Sequence, residues 1–335
     1  MRLSDLQYDL PEELIAQKPL DRRDASRLLT VDKSTGEIGH RKFMDVVDLL
    51  REGDLLVMND TRVTALRLFG KRKTGANVEA LLLTPLADGK FVALTRPAKK
   101  LKRGELIEFE GGLTALVAGD LGDGKKTIEF QEADAEDRIK AVGRTPLPPY
   151  VKSEIPDPER YQTVYARQAG SAAAPTAGLH FTNELLQAFK DKGVETATVT
   201  LDVSTDTFRP ISVENVEDHK MHGERCTLPK ETVRKLQGCK GSVVAVGTTT
   251  VRTLESFASL EGGLQAGTMT TSAYITPGYE FKVVDAMFTN FHMPGTTMLL
   301  MVAAMCGHET LMRAYAEAVE RRYRFLSFGD SMFVC

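Results

Sequence analysis

The stretch "LLVMNDTRV" (Leu55–Val63) decides how the rest of the chain is interpreted. Its first four residues are apolar, and they follow the helix-like segment "FMDVVDLL" (Phe43–Leu50) after a break at Gly53. A helix followed by a strand that ends in polar residues is typical of an α/β domain. From about Leu66 the pattern changes to short β-rich runs separated by Gly, Asp and Pro, with no helical period among them. The stretch therefore marks the point at which an α/β domain is interrupted.

The β-rich runs that follow Leu66 predict a small antiparallel barrel. Runs such as "VEALLLTP" and "KFVALTRP" are joined by Gly-containing turns, which is the pattern of a meander or barrel. We predict that residues 66–145 form an inserted, all-β barrel domain. Residues 1–65 and 146–335 then form one discontinuous α/β domain, with the proline-dense segment 145–159 as the return linker. Its alternating helices and strands favour a mixed, largely parallel sheet flanked by helices.

The composition is that of an ordinary globular protein. The 335 residues are 42% hydrophobic and 27% charged, with a net charge of −3, so nucleic-acid binding would need a local basic patch. The four cysteines are scattered, which argues against a disulfide framework or a zinc knuckle. The longest apolar run, Met298–Cys306, is far shorter than the ~20 residues needed to cross a bilayer. We therefore predict a cytoplasmic protein with no membrane partner.

Polar clusters follow several of the predicted strands. Ligands of α/β sheets bind beyond the carboxyl ends of the strands, so converging clusters would form one polar pocket. The clusters are "NDTR" (59–62), "GTTTVR" (247–252), "TNFH" (289–292) and "GD" (329–330). In "GTTTVR", free amide N–H groups at a helix start would suit a carboxylate or phosphate. The alternative is simple helix capping by Thr248 or Thr249.

The stretch "GSAAAPTAGLHFT" (Gly170–Thr182) has unusually small side chains. Small residues would let the backbone approach a ligand closely, with Thr176 and His180 supplying polar contacts. The alternative is a tightly packed loop in which His180 is a buried, hydrogen-bonded imidazole.

The segment "HKMHGE" (His219–Glu224) carries two histidines three residues apart. Zinc sites on helices use a spacing of four, and Gly223 argues against a helix. A hydrogen-bonding role or an exposed loop is therefore favoured over a metal site.

Basic residues cluster within the predicted barrel. They form "KRK" (Lys71–Lys73) and "RPAKKLKR" (Arg96–Arg103). Such a patch could neutralise nucleic-acid phosphates, or it could be a charged strand edge that prevents aggregation.

In this order, these stretches resemble those of the S-adenosylmethionine:tRNA ribosyltransferase-isomerase family of queuosine biosynthesis. The resemblance runs nearly from end to end, and "AAPTAGLHF" with "TNFHMP" is its most distinctive pair. It implies an α/β domain interrupted by a β-barrel. It also implies transfer of the ribosyl portion of S-adenosylmethionine to 7-aminomethyl-7-deazaguanine in tRNA. The product would be epoxyqueuosine, with loss of adenine and methionine.

The resemblance also implies roles for individual residues. Proton transfer is expected from His180 and Glu224, with His222 as a third candidate. The methionine carboxylate is expected at Thr248, Thr249 and Arg252. The adenosine or deazaguanine pocket is expected at Asp60, Arg62, Thr176, Gly178, Asn290 and His292. Phosphates of tRNA are expected at Arg96, Lys99, Lys100, Lys102 and Arg103. No metal or cofactor is required, since S-adenosylmethionine is a substrate.

The chain departs from the family pattern in "LDVSTDTFRP" (Leu201–Pro210). Asp202 stands where the family has a histidine, and Ser204 and Asp206 stand for two glycines. The new carboxylates could attract a sulfonium, or they could change the substrate or abolish activity. The alternatives are therefore a non-catalytic tRNA-binding relative and an enzyme for another sulfonium or nucleoside. A metal hydrolase that uses "HKMHGE" is a third.

Overall fold

The computed structural model describes residues 1–204, 207 and 210–335. The chain divides into two compact units. The sheet unit comprises Met1–Thr61, Pro148–Gln168 and Ala174–Cys335, and the barrel unit comprises Arg62–Leu147 and Ala169–Ala173. Within the described ranges, every helix is too short or too polar to cross a bilayer.

The strands and helices alternate along most of the chain. The strands are β1 (Arg27–Val31), β2 (Ile38–Lys42), β3 (Leu55–Asn59), β4 (Thr61–Val63), β5 (Leu66–Arg72), β6 (Asn77–Pro85), β7 (Lys90–Arg96), β8 (Leu106–Phe109), β9 (Leu113–Gly122), β10 (Lys125–Phe130), β11 (Gln168–Ser171), β12 (Glu195–Leu201), β13 (Glu224–Leu228), β14 (Val243–Val246), β15 (Gly267–Thr271), β16 (Ala286–Asn290) and β17 (Ser331–Val334). The helices are α1 (Val46–Leu49), α2 (Ala135–Val142), α3 (Asn183–Asp191), α4 (Lys230–Gly238), α5 (Thr248–Ala258), α6 (Thr297–Cys306) and α7 (His308–Glu320).

The sheet unit is built on one mixed sheet. Its strand order is β15-β13-β12-β3-β14-β16-β17-β1-β2. The run β12-β3-β14-β16 and the pair β17-β1 are parallel, and the other neighbours are antiparallel. Strands β3, β14 and β16 are buried along their whole length, which explains why their sequences are continuous apolar runs. The carboxyl ends of these strands therefore meet at one edge.

Aromatic side chains fill the core under this edge. Phe43, Phe181, Phe288 and Phe333 belong to one buried cluster. The Phe43 ring packs edge-on against Phe181, and the rings of Phe288 and Phe333 stack with centroids 4.3 Å apart. Phe43 begins a 3₁₀ turn that leads into the single turn of α1, so the predicted helix is shorter than its pattern suggested.

The barrel unit confirms the predicted insertion. Its six strands close in the order β10-β7-β6-β5-β8-β9, and every neighbouring pair is antiparallel. The expectation that no helix occurs within residues 66–145 is wrong, because α2 lies there. Only Ala135 and Ile139 of α2 are buried, and two apolar positions are too few to show a helical period. The fold class itself, a mixed α/β sheet with an antiparallel barrel, is confirmed.

Candidate active site

A cleft opens at the carboxyl ends of β14 and β16. Its empty volume, including space open to solvent, is about 660 Å³. Residues 174–177, 247–249 and 289–293 supply most of its wall. Three distant stretches that the sequence marked therefore meet around this space, which we call the main cleft.

The described lining of the main cleft combines apolar and polar side chains and carries no charge. No Asp, Glu, Lys or Arg occurs among the described residues that line it. Its polar side chains are Tyr150, Thr176, Thr207, Thr248, Thr249, Thr289, Asn290, His292, Thr296 and Ser327. No sequence motif predicted Tyr150, Thr296 or Ser327 as site residues, although Ser327 lies two residues before the "GD" cluster. Such a wall suits an uncharged nucleoside that is read by hydrogen bonds.

The first turn of α5 presents backbone donors to the cleft. Gly247 precedes the helix with φ 87° and ψ 153°, a conformation that essentially only glycine adopts. Thr248 and Thr249 lie inside the helix, so neither is the N-cap that the alternative interpretation required. Their amide N–H groups donate to no acceptor among the described residues. This helix start can therefore receive a carboxylate.

Asn290 joins the cleft wall to His180. The Thr176 hydroxyl donates to Asn290 Oδ1 at 2.9 Å, and Asn290 Nδ2 donates to His180 Nε2 at 3.1 Å. Because Nε2 accepts, the His180 proton is assigned to Nδ1, which lies 2.8 Å from Ser26 Oγ. Both ring nitrogens of His180 are thus occupied, and the ring stacks on Phe43.

Both histidines of this region are held neutral. Burial, followed by the charges of Arg324 and Arg23, lowers the pKa of His180 to about 3. Burial alone lowers the pKa of His292 to about 3, and its Nε2 lies 2.8 Å from Thr289 Oγ1. His292 lines the main cleft, whereas His180 lies behind it and lines a different hollow.

These two imidazoles predict a fall in stability at mildly acidic pH. Between pH 6.5 and about 3, the unfolded chain binds a proton at each imidazole that the folded protein does not bind. The free energy of unfolding should therefore be highest above pH 6.5. It should fall by about 1.4 kcal/mol per pH unit for each histidine as the pH decreases. Urea unfolding at pH values from about 7.5 to 5 measures this slope. A His292→Gln variant should lose roughly half of it, and an unchanged slope would contradict the prediction.

Glu224 and Arg252 form a buried ion pair beside the main cleft. Arg252 Nη1 donates to Glu224 Oε2 at 2.5 Å, and both side chains are almost fully buried. Glu224 Oε1 also accepts from the Ser204 amide at 2.9 Å and from the Thr207 hydroxyl at 2.8 Å. Burial would raise the pKa of Glu224. The close contact with His222, whose Nε2 lies 3.4 Å from Glu224 Oε1, and the charge of Arg252 outweigh it, so the pKa is lowered and Glu224 is ionised.

The ion pair borders a second space, which we call the side hollow. Its empty volume is about 370 Å³, and it shares Thr207, Thr248, Thr249 and Met298 with the main cleft. His222 and Arg252 line it. Among the described residues, Arg252 Nε and His222 Nε2 are buried without a hydrogen-bond partner. His222 Nε2 lies 3.4 Å from Glu224 Oε1, within ion-pair distance.

Other predicted site residues lie elsewhere. Asp60 is buried, where it accepts from Arg167 at 3.0 Å and from Thr200 at 2.7 Å, and it does not line the cleft. Arg62 belongs to the barrel unit. A Cβ at Gly178 would lie 2.0 Å from the Tyr165 hydroxyl oxygen, so packing inside the protein accounts for this glycine. Ligand contacts by Asp60, Arg62 and Gly178 remain predictions.

The departures from the family pattern are partly explained. Asp202 is half-buried, and its Oδ1 accepts from the Thr61 hydroxyl at 3.4 Å. Burial, opposed by Arg225, raises the pKa of Asp202. Ser204 does not have a positive φ, so the loss of glycine causes no backbone strain there. Asp206 lies outside the described residues.

The predicted tRNA contacts lie together in the barrel unit. Arg96 ends β7, Lys99 and Lys100 lie in the following 3₁₀ turn, and Lys102 and Arg103 precede β8. All five side chains are exposed, and none forms an ion pair with a described residue. In the described ranges, no group of three or more His, Cys, Asp or Glu side chains could hold a metal ion.

Known proteins resemble this chain along its whole length. A family model described as "Queuosine biosynthesis protein" matches residues 3–334. Proteins named S-adenosylmethionine:tRNA ribosyltransferase-isomerase from Thermotoga maritima and Symbiobacterium thermophilum are 51% and 50% identical to it. Each alignment covers 100% of both chains. A crystal structure of S-adenosylmethionine tRNA ribosyltransferase from Thermotoga maritima is 37% identical with a TM-score of 0.57, covering 99% of this chain and 100% of that one. The chain therefore belongs to the queuosine biosynthesis protein family.

Proposed function

We propose that the chain transfers and isomerises the ribosyl moiety of S-adenosylmethionine onto 7-aminomethyl-7-deazaguanine at the tRNA wobble position. The products are epoxyqueuosine-tRNA, adenine and methionine. The observation that carries the proposal is the full-length identity of about half with relatives that bear this activity in their names. The uncharged main cleft, which ends at a helix start, supports it.

The methionine portion fits the α5 end of the main cleft. The unpaired amide groups of Thr248 and Thr249 favour an anion, and Arg252 lines the adjoining side hollow. Arg252 is already paired with Glu224 through Nη1, so we propose that it meets the carboxylate through its remaining donor. The threonine hydroxyl groups that line the main cleft, together with Asn290, would then bind the uncharged adenosine.

We propose His222 as the group that takes a proton during the reaction. It lines the side hollow, and its Nε2 faces the ionised Glu224, which would stabilise the imidazolium that forms. Glu224 itself is a weaker candidate because its hydrogen bond from Arg252 and its lowered pKa make the carboxylate a poor proton acceptor. His180 does not line the cleft, and both of its ring nitrogens are occupied, so we propose that it positions Asn290.

The positioning role predicts a specific loss of activity. Replacing Asn290 by Ala removes the hydrogen-bond partner of Thr176 and of His180. It should lower kcat/KM by about 100-fold, because residues that position the substrate would be displaced. Steady-state adenine release measures this change. An exposed asparagine, Asn183, gives the matched control Asn183→Ala, which should retain full activity. Equal activity of both variants would exclude the role.

The exposed basic residues of the barrel unit predict salt-dependent tRNA binding. Replacing Lys99 and Lys100 by Ala should weaken tRNA binding and reduce the slope of log K against log salt by about one per lost contact. Binding titrations at several salt concentrations test this. Lys140→Ala, an exposed lysine on α2 of the same unit, is the control. If the slope of log K against log salt is the same in all variants, the tRNA must bind to a different part of the protein.

The reaction itself is tested by incubating the protein with S-adenosylmethionine and tRNA that carries 7-aminomethyl-7-deazaguanine. We expect adenine release that depends on the modified tRNA, with epoxyqueuosine in the recovered tRNA. Binding of tRNA without adenine release would instead identify a non-catalytic relative. Turnover of a different sulfonium or nucleoside would identify a changed substrate.

A further inference from the structure

A third hollow in the sheet unit adjoins the main cleft. Its empty volume, including space open to solvent, is about 300 Å³. Ser327 lines both spaces, and His180 forms part of the wall of the third one. Because Arg23 and Arg160 are the charged residues of its described lining, we call it the arginine pocket.

The two guanidinium groups hold their positions without neutralising partners. Arg23 donates to the carbonyl oxygens of Leu179 at 3.2 Å and Glu159 at 2.9 Å. Arg160 donates to the carbonyl oxygens of Asp21 at 3.2 Å and Leu20. Among the described residues, no carboxylate oxygen lies within 4.0 Å of either group. Carbonyl groups fix the direction of the guanidinium groups but leave their charge in place.

A third arginine adds to the surplus of positive charge. Arg324 donates to the Lys18 carbonyl, yet its Nη1 is buried without a partner in the described chain, as is Arg160 Nε. Burial and then the charge of Arg160 lower the pKa of Arg23, against the opposing charges of Asp157 and Glu159. Burial also lowers the pKa of Arg324, against the charge of Asp330. Guanidinium groups that carbonyl oxygens hold in place, with no carboxylate oxygen within 4.0 Å among the described residues, are the features of an anion site.

We propose that the arginine pocket, beside the main cleft, binds a phosphate group of the RNA backbone adjoining the nucleotide that receives the ribosyl group. The inference rests on the proposed function, which supplies a tRNA substrate. Arginine matches phosphate oxygens with paired N–H donors, and the shared Ser327 places the two spaces side by side. Free inorganic phosphate offers the same chemistry, so the experiment separates the two sources.

The test measures tRNA binding over a range of salt concentrations for Arg160→Gln, Arg23→Gln and Arg160→Lys. Each glutamine variant should raise Kd about five- to tenfold and reduce the slope of log K against log salt by about 0.7–0.9. Arg160→Lys keeps the charge and should keep most of the slope. Arg41→Gln, an exposed arginine on the edge strand β2, is the matched control and should bind tRNA like the parent. Circular dichroism confirms that each variant is folded.

Two outcomes decide the proposal, and a third concerns the proposed reaction alone. Reduced slopes in both glutamine variants, with the Arg41 variant unchanged, support it. Unchanged slopes overturn it, and calorimetric binding of inorganic phosphate that disappears in Arg160→Gln would then identify a free-anion site. If the parent protein releases no adenine, the proposed reaction fails. The salt slopes still report whether the arginine pocket contacts RNA.

Discussion

Replacing Arg252 by Ala is expected to lower the free energy of unfolding by about 3–5 kcal/mol. Glu224 is almost fully buried and ionised, and Arg252 is its only cationic partner within hydrogen-bond distance among the described residues. Without the guanidinium, a desolvated carboxylate would be left with neutral donors and His222. Equilibrium unfolding in urea at pH 7.5, monitored by circular dichroism, measures the loss.

The double variant Glu224→Gln with Arg252→Met separates the charge from the packing. Gln can still accept from the Ser204 amide and the Thr207 hydroxyl, and Met fills part of the arginine volume. Its stability should lie much closer to the parent than that of Arg252→Ala, because no unpaired charge remains. Arg225→Ala removes an exposed arginine of the same strand as a control. Equal destabilisation by the single and double variants would show that the ion pair is not responsible.

Replacing His222 by Gln is expected to lower kcat by about 10²–10⁴-fold, the usual contribution of a positioned proton-transfer group. Gln keeps hydrogen-bonding atoms and similar size, but it cannot accept a proton near neutral pH. The KM for S-adenosylmethionine should change far less, because the amide groups of Thr248 and Thr249 remain in place. Single-turnover adenine release at saturating tRNA measures the chemical step.

His219 provides the matched control for this variant. It lies three residues before His222, packs against the Tyr274 ring, and does not line the side hollow. His219→Gln should therefore retain nearly full turnover. If His222→Gln also turns over within threefold of the parent, proton transfer must be assigned to another group. Glu224→Gln would then be the next variant to measure.

Local sequence patterns predicted much of the architecture. Apolar runs of four or five residues predicted β3, β14 and β16, and Gly-containing turns between β-rich runs predicted the barrel. Strands β13, β15 and β17, of which only β15 lies at an edge of the sheet, escaped prediction because they are short and lie beside turns or polar segments. The helix α2 escaped because it buries only two side chains. Hydrophobic periodicity is a local property of the sequence. It therefore predicts long buried helices and strands well and short ones poorly.

The sequence by itself determined the family, the polar carboxyl ends of β3, β14 and β16, and three of the segments that form the main cleft. The prediction that "GD" (329–330) follows a strand is wrong, because β17 begins after it. Only the tertiary structure decided which of those polar groups are available. His180 belongs to a distinctive motif, yet Ser26, 154 positions away, and Asn290 occupy its ring nitrogens. Arg252 is committed to Glu224, while Arg23 and Arg160, which no motif marked, keep unpaired charge. Burial and the partners that folding brings together set charge and hydrogen bonding, and neither can be deduced from neighbours along the chain.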